Sequence, residues 1–183
     1  MNNYDIVVAG GGPAGLEFAR EMGQKTDYDI VVLEKLDRLR DNIKSTAASF
    51  PRTIENFDLP DEIVQFETDQ VVFEGPGKSK EVPIENVTLD FPGLQEFLGE
   101  EARDLDVDIL TNCEVERPLL DGAQVVGVKC THENETKSFY GDLIVDATGP
   151  DAVLAKPLKM VEPEKKTTGL GYEYEAEGTF PED

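Results

Sequence analysis

Histidine occurs once and cysteine twice in the 183 residues, and each scarcity removes a class of chemistry. His132 stands alone among Thr131, Glu133 and Asn134, a segment that reads as a turn, so neither a histidine-rich metal site nor a Ser-His-Asp triad has material. Cys113 and Cys130 form no CxxC and no other metal-ligand spacing; they read as reduced thiols of a cytosolic protein, and no metal is expected. Long apolar runs are missing, and no basic start followed by an apolar core precedes Tyr4. A soluble, cytoplasmic protein without a transmembrane segment is the expectation, in which the Asn86-Val87-Thr88 and Asn134-Glu135-Thr136 sequons stay unused.

Positive charge is the other shortage. Lys and Arg number 17 against 39 Asp and Glu, a formal net charge of -22. Such a balance repels nucleic acid and anionic membrane, so no nucleic-acid partner is expected. The acids are spread along the chain, as in proteins of a salt-rich cytoplasm, and a halophilic setting follows. Molar salt shortens the screening length to about 3 Å and removes most of the self-repulsion that opposes compaction. Circular dichroism across a potassium chloride series should therefore show cooperative structure only as salt approaches molar concentration. Full, salt-independent structure in dilute buffer would overturn this reading.

What is present begins at Tyr4. Ile6, Val7, Val8 and Ala9 make a short apolar run that stops at three consecutive glycines, as a buried parallel strand ending in a tight turn does. Gly10, Gly12 and Gly15 fall on the spacing GxGxxG. In a dinucleotide-binding unit the first permits the turn, the second lets a diphosphate approach the backbone, and the third lets the next helix pack closely. That helix should start near Pro13, with its N-terminal amides and positive dipole end toward phosphate, and should bury Leu16, Phe18, Ala19 and Met22. Ile30 to Leu33 give a second apolar strand closed by Glu34, about twenty residues beyond Gly15, where a carboxylate meets a ribose diol.

Lys35 to Pro60 show little periodicity and predict a long connection across a ligand face, within which Lys44, Ser45 and Thr46 lie where a loop can reach a cofactor ring, although a plain solvated loop is the reading preferred for them. Val71–Glu74 and Val82–Ile84 flank Gly75-Pro76-Gly77 as a hairpin, Phe91 to Leu105 predict an amphipathic helix, and Val107, Ile109 and Leu110 a strand. Cys113 to Tyr140 read as an antiparallel meander broken at Asp121-Gly122. The chain then returns through Leu143, Ile144 and Val145 to Asp146-Ala147-Thr148-Gly149-Pro150, where small residues leave room for a bulky ligand. From Gly169 to Gly178 polar and apolar residues alternate, a half-buried strand with no later partner in sequence.

The fold predicted is α/β: a Rossmann-like FAD/NAD(P)-binding domain with a parallel sheet, plus an antiparallel meander and a hairpin insertion. It occupies 1–160, interrupted at about 61–90, and 161–183 begin a truncated substrate-domain sheet or tail. The order of Gly10 to Gly15, Glu34-Lys35, meander and Asp146 to Pro150 resembles the N-terminal part of FAD-dependent oxidoreductases of the glutathione-reductase-like class, most closely the geranylgeranyl reductase and aromatic-ring hydroxylase branch with its haloarchaeal members. The resemblance implies FAD, with Gly10, Gly12, Pro13, Ala14 and Gly15 around the pyrophosphate and Glu34 on the adenosine ribose. It also implies Lys35 beside that ribose, the Val115 backbone on adenine, and Ala147 and Gly149 lining the cofactor. Two departures stand out: no Gly-Asp motif follows Gly149, and Ser45 to Phe50 replace the family's cysteine-containing glycine-rich segment.

The function implied is an FAD-dependent oxidoreductase acting on a small molecule or, as in geranylgeranyl reductases, on the double bonds of a prenyl lipid. The chain is incomplete on this reading, and a partner chain is one way to supply the other half. The flavin carries the redox chemistry, and catalytic residues remain unassigned because carboxylates are so abundant that any adjacent pair is expected by chance. An NAD-binding dehydrogenase and a non-catalytic nucleotide-binding remnant or subunit remain as alternatives.

Overall fold

The computed structural model describes residues 2–43 and 47–161. The predicted strand from 169 to 178 and the candidate loop residues Lys44, Ser45 and Thr46 lie outside them. The chain opens with β1 (Asn2–Ala9), α1 (Pro13–Lys25) and β2 (Ile30–Leu33), a βαβ unit whose two strands pair in parallel, Ile6 beside Ile30 and Ala9 beside Leu33. Helix α1 starts where Pro13 needs no amide donor and ends where Thr26 turns extended, its N–H and Oγ1 both donating to the Met22 carbonyl at 2.9 and 2.8 Å.

A short β3 (Ala48–Ser49) and α2 (Pro51–Asn56) lead to the hairpin of β4 (Val64–Gly75) and β5 (Lys78–Leu89). Then come α3 (Phe91–Asp104), β6 (Asp108–Leu110), β7 (Cys113–Asp121), β8 (Gln124–His132) and β9 (Glu135–Asp146). Asp90 caps α3 by accepting from the Gly93 amide at 3.1 Å.

Six strands form the main sheet in the order β6-β2-β1-β9-β8-β7, the first four parallel and the last three antiparallel. The alternation of strand side chains divides its apolar residues between two layers. Ile6, Val8, Ile30 and Val32 pack with Leu16 and Ala19 of α1 and Leu94, Leu98 and Ala102 of α3. Val7, Ala9, Val31 and Leu33 pack with Val115, Val128 and Phe139 of the meander. A strand buried on both faces reads as an unbroken apolar run, which is why β1 and β2 were legible.

Four expectations change. The described residues of the connection from Lys35 to Pro60 form short elements: a 3-10 turn at Leu39–Asp41 buries Leu39 between the glycine turn and α3, and β3 and α2 lie further along. Two residues of strand and six of helix are too few to print a period. The last strand of the meander and the returning strand are one element, since β9 runs unbroken from Glu135 to Asp146, pairing with β8 from Glu135 to Tyr140 and with β1 from Phe139 to Asp146. His132 is the last residue of β8; the turn itself is Glu133-Asn134, both at positive φ. The hairpin is also longer than its apolar residues suggested, and it carries Phe66 and Phe73 exposed to solvent.

Among the described residues, β9 from Gly141 to Asp146 has a strand on its β1 side only, and Leu143 there is 47 % exposed. No described helix is long and apolar enough to cross a membrane.

Candidate functional site

The C-terminal ends of β1, β2 and β9 converge with the N-terminus of α1. Gly10, at φ 106, can be nothing but glycine: a Cβ there would overlap the Ala147 carbonyl oxygen. A Cβ on Gly15 would overlap the Gly10 carbonyl oxygen and sit 3.2 Å from the Ala147 Cβ. Two glycines of the motif are thus required by the chain's own packing, and they bring Gly10, Gly15 and Ala147 together. Ala147 is fixed from its other side by donating its N–H to the Ala9 carbonyl at 2.8 Å.

Gly12 differs. Its backbone is ordinary extended chain (φ -77, ψ 176), and a Cβ on it would meet nothing within 4 Å. It is the N-cap of α1 yet supplies no side-chain cap, Pro13 follows it, and the first turn carries no acid. The first amides of a helix have no intrahelical acceptor, and those of Ala14 and Gly15 take no side-chain cap here. An open space facing uncapped amides and the positive end of a 13-residue helix is suited to an anion. The residues present fit a dinucleotide diphosphate.

Glu34 closes the site on the β2 side. It is 8 % exposed; its Oε2 accepts from the Gly11 N–H at 2.7 Å and its Oε1 from the Leu36 N–H at 2.9 Å. Each oxygen keeps a further lone pair, so a ribose diol can still donate to a carboxylate held in one place. Gly11 is part of this arrangement, because a Cβ there would lie 2.9 Å from the Glu34 Cβ. The sequence reading passed over Gly11; its signal was the run of three glycines where the motif needs two. Lys35 is half-exposed, its Nζ 3.9 Å from Asp151 Oδ2, so it spans from the end of β2 to the turn after β9. Val115 is buried in the meander-side core two residues beyond Cys113, whose N–H donates to the Glu34 carbonyl at 2.8 Å.

Beyond β9 the chain is organised by a residue to which the sequence reading gave no role. The Asp146 carboxylate accepts at Oδ1 from the Thr148 hydroxyl (2.6 Å) and N–H (3.2 Å), and at Oδ2 from the N–H groups of Leu154 (2.9 Å) and Ala155 (2.8 Å). Burial works against its charge, but these donors outweigh that and hold the carboxyl below the usual carboxylate range. Thr148 Oγ1 in turn accepts from the Val153 N–H at 2.8 Å. The turn at Gly149 (φ 69) is held over the sheet end by this network, and a Cβ on Gly149 would meet nothing within 4 Å. Asp-x-Thr is a local side-chain-to-backbone motif, so a signal was there.

Among the described residues no cluster of three metal-ligating side chains occurs. An apolar cavity of about 300 Å³ adjoins the site, lined by Pro13, Ala14, Phe57, Leu59, Leu94 and Leu98 among others.

No family model matches the chain. It is 36% identical over 181 residues to a digeranylgeranylglycerophospholipid reductase of Haloferax volcanii, an alignment covering 97% of this chain and 43% of that protein. Digeranylgeranylglycerophospholipid reductase 1 of Methanopyrus kandleri is 24% identical over 176 residues, 93% of this chain and 47% of the other. The chain therefore spans less than half the length of these two relatives. Among solved structures, a geranylgeranyl bacteriochlorophyll reductase-like protein of Thermoplasma acidophilum superposes with a TM-score of 0.73 at 18% identity, over 80% of this chain and 39% of that one. A myxobacterial chondrochloren halogenase, a variant of FAD-dependent halogenases, gives the same TM-score and identity over 85% and 39%. At that identity the two structures speak for the fold alone: a Rossmann-like α/β domain, with its parallel-dominated sheet and separate antiparallel sheet.

Proposed function

Since this chain is a homologue of the N-terminal portion of a haloarchaeal digeranylgeranylglycerophospholipid reductase, we propose that it is the FAD-binding part of a prenyl-lipid reductase of the geranylgeranyl reductase type. The observation that carries this reading is the uncapped N-terminus of α1 under the open side of Gly12, with the anchored Glu34 carboxylate at one end and Ala147 to Gly149 at the other. In it, the amides of Ala14 and Gly15 receive the diphosphate, and Gly10, Gly12 and Pro13 shape the turn around it. Glu34 accepts from the adenosine ribose with Lys35 alongside, the backbone at Val115 borders adenine, and Ala147 and Gly149 leave room for the rest of the cofactor. Bound FAD supplies the hydride chemistry of its isoalloxazine ring; the residues described here bind and orient it. The relatives' names point to a digeranylgeranylglycerophospholipid as substrate, with its prenyl double bonds as the acceptor, and the setting is a salt-rich cytoplasm.

The whole reaction needs more protein than this. The outer edge of β9, the exposed Leu143 and the apolar cavity beside α1 support a completing half, joined to this chain or supplied by a partner, that adds to these surfaces. We expect this chain in molar potassium chloride to bind FAD weakly and stoichiometrically, and to gain about ten- to a hundredfold in affinity for each charge-assisted contact the completing half supplies. Equilibrium titration followed by flavin fluorescence, with and without the completing half, measures this. Binding of NAD but not FAD, or of neither at any salt concentration, would overturn the proposal.

A further inference from the structure

Cys113 and Cys130 are both fully buried, on neighbouring strands, with their sulfurs 3.3 Å apart and the Cys113 thiol donating to Cys130. Nothing in the nucleotide site uses either thiol. Their position makes them more than apolar filling. Cys113 is the first residue of β7; its N–H donates to the Glu34 carbonyl at 2.8 Å, and the preceding Asn112 N–H donates to Leu36 at 2.9 Å. These two bonds tie the start of β7 to the end of β2, and Glu34 in turn holds the Gly11 amide through its carboxylate.

The register fixes how the sulfurs can join. Cys113 stands opposite His132 and Val115 opposite Cys130, so the two cysteines are diagonal neighbours on one face of the β7–β8 ladder. Diagonal positions in a regular ladder have Cα atoms about 7–8 Å apart, whereas a disulfide spans about 4.4–6.8 Å. Sulfurs already in contact can bond, provided that the backbone draws in. The place that yields is β7: it is the edge strand of the sheet, and its pairing with β8 is irregular between Val115 and Arg117. Edge strands also open locally at low cost, which admits a small oxidant to buried thiols.

We propose that Cys113 and Cys130 are a redox-modification site, in which a peroxide converts the thiol pair to a reversible disulfide that pulls the start of β7 away from the end of β2 and loosens Glu34. The sulfur of Cys130, which accepts the hydrogen bond from Cys113, attacks one peroxide oxygen; the O–O bond breaks, and Cys130 sulfenic acid and one water result. The Cys113 sulfur then displaces the sulfenic oxygen, the S–S bond forms, and a second water leaves. Two thiols and one hydrogen peroxide thus give one disulfide and two waters. The hydrogen bond from Cys113 holds the Cys130 thiol below its usual range, while that same bond and burial push the Cys113 thiol up, so Cys130 is the sulfur that attacks first once β7 opens to admit the peroxide. A bond made across a diagonal is strained, and strained disulfides are the ones that thiols reduce readily.

That Glu34 meets a ribose rests on the proposed function, so the test reads the protein alone. The purified chain in molar potassium chloride is treated with hydrogen peroxide, and half is then returned to dithiothreitol. Intact mass should fall by about 2 Da per chain, peptide mapping should join Cys113 to Cys130, and the two thiols titrated after denaturation should vanish and return on reduction. Hydrogen exchange should become about tenfold faster at the Cys113 and Gly11 amides, two of the three amides that donate to Glu34, and recover with the thiols. Cys130→Ala should show neither change. Thiols that persist, single-site sulfinic acid in place of a crosslink, or a crosslink that leaves both amides protected would each overturn the proposal.

Discussion

Gly12→Val is expected to abolish flavin binding and leave the fold standing. A valine at this position costs the chain little, since its backbone is extended and the added Cβ touches nothing within 4 Å. Substitutions of that kind stay within about 0.5 kcal/mol of the parent in stability. The same isopropyl group stands where a diphosphate must lie to reach the amides of Ala14 and Gly15, so affinity should fall at least about a hundredfold, or about 2.7 kcal/mol. Gly15→Val is the contrasting case. Its Cβ would overlap the Gly10 carbonyl oxygen and crowd Ala147, so α1 has to leave the sheet and the chain should not fold. Circular dichroism and an FAD titration on both variants separate the two roles. Undiminished affinity in Gly12→Val would remove the turn from the site, and a folded Gly15→Val would refute the packing argument.

That contrast marks how far the sequence could be read. The spacing of Gly10, Gly12 and Gly15 announced a dinucleotide turn and a role for each glycine, but it could not name Ala147, the residue remote in sequence for which Gly10 and Gly15 make room. The apolar runs of β1 and β2 were legible because both faces are buried. Leu39 was not, because a single apolar residue in a polar stretch has no period, although it packs against both the glycine turn and α3. The unity of β9 was hidden by Gly141 and Asp142, which read as a break; β1 on one side carries the strand across them. Cys113 and Cys130 were taken separately, since seventeen residues of sequence do not reveal that two strands place their sulfurs in contact.

Asp146 is the residue whose loss should matter most among those that touch no ligand. Its carboxylate receives four donors from Thr148, Leu154 and Ala155. Asp146→Asn keeps the volume, but it turns one acceptor oxygen into an amide NH2: at Oδ2 this would face two N–H donors with no acceptor, and at Oδ1 it could donate only to Thr148 Oγ1 while losing the Thr148 N–H. A hydrogen bond to a charged group contributes about 1.5–3 kcal/mol, and because this site is only half-buried we expect a net loss of about 2–3 kcal/mol. The pH dependence has a definite sign. The folded-state pKa lies below the ordinary value, so the carboxylate's contribution is fully present above about pH 4 and disappears as pH falls through the folded pKa. The stability gap between parent and Asp146→Asn in a denaturant series should thus be constant from about pH 8 to 5 and close as pH falls from the ordinary carboxylate value through the lower folded pKa. Comparing the two proteins at each pH cancels the separate effect of neutralising the other acids, which relieves repulsion in both alike. The variant should also bind FAD more weakly, since Ala147 to Gly149 lose the network that holds their turn over the sheet end. A gap that persists at low pH would show that shape, not charge, fixes Asp146, and unchanged stability at neutral pH would remove it as the anchor of the turn after β9.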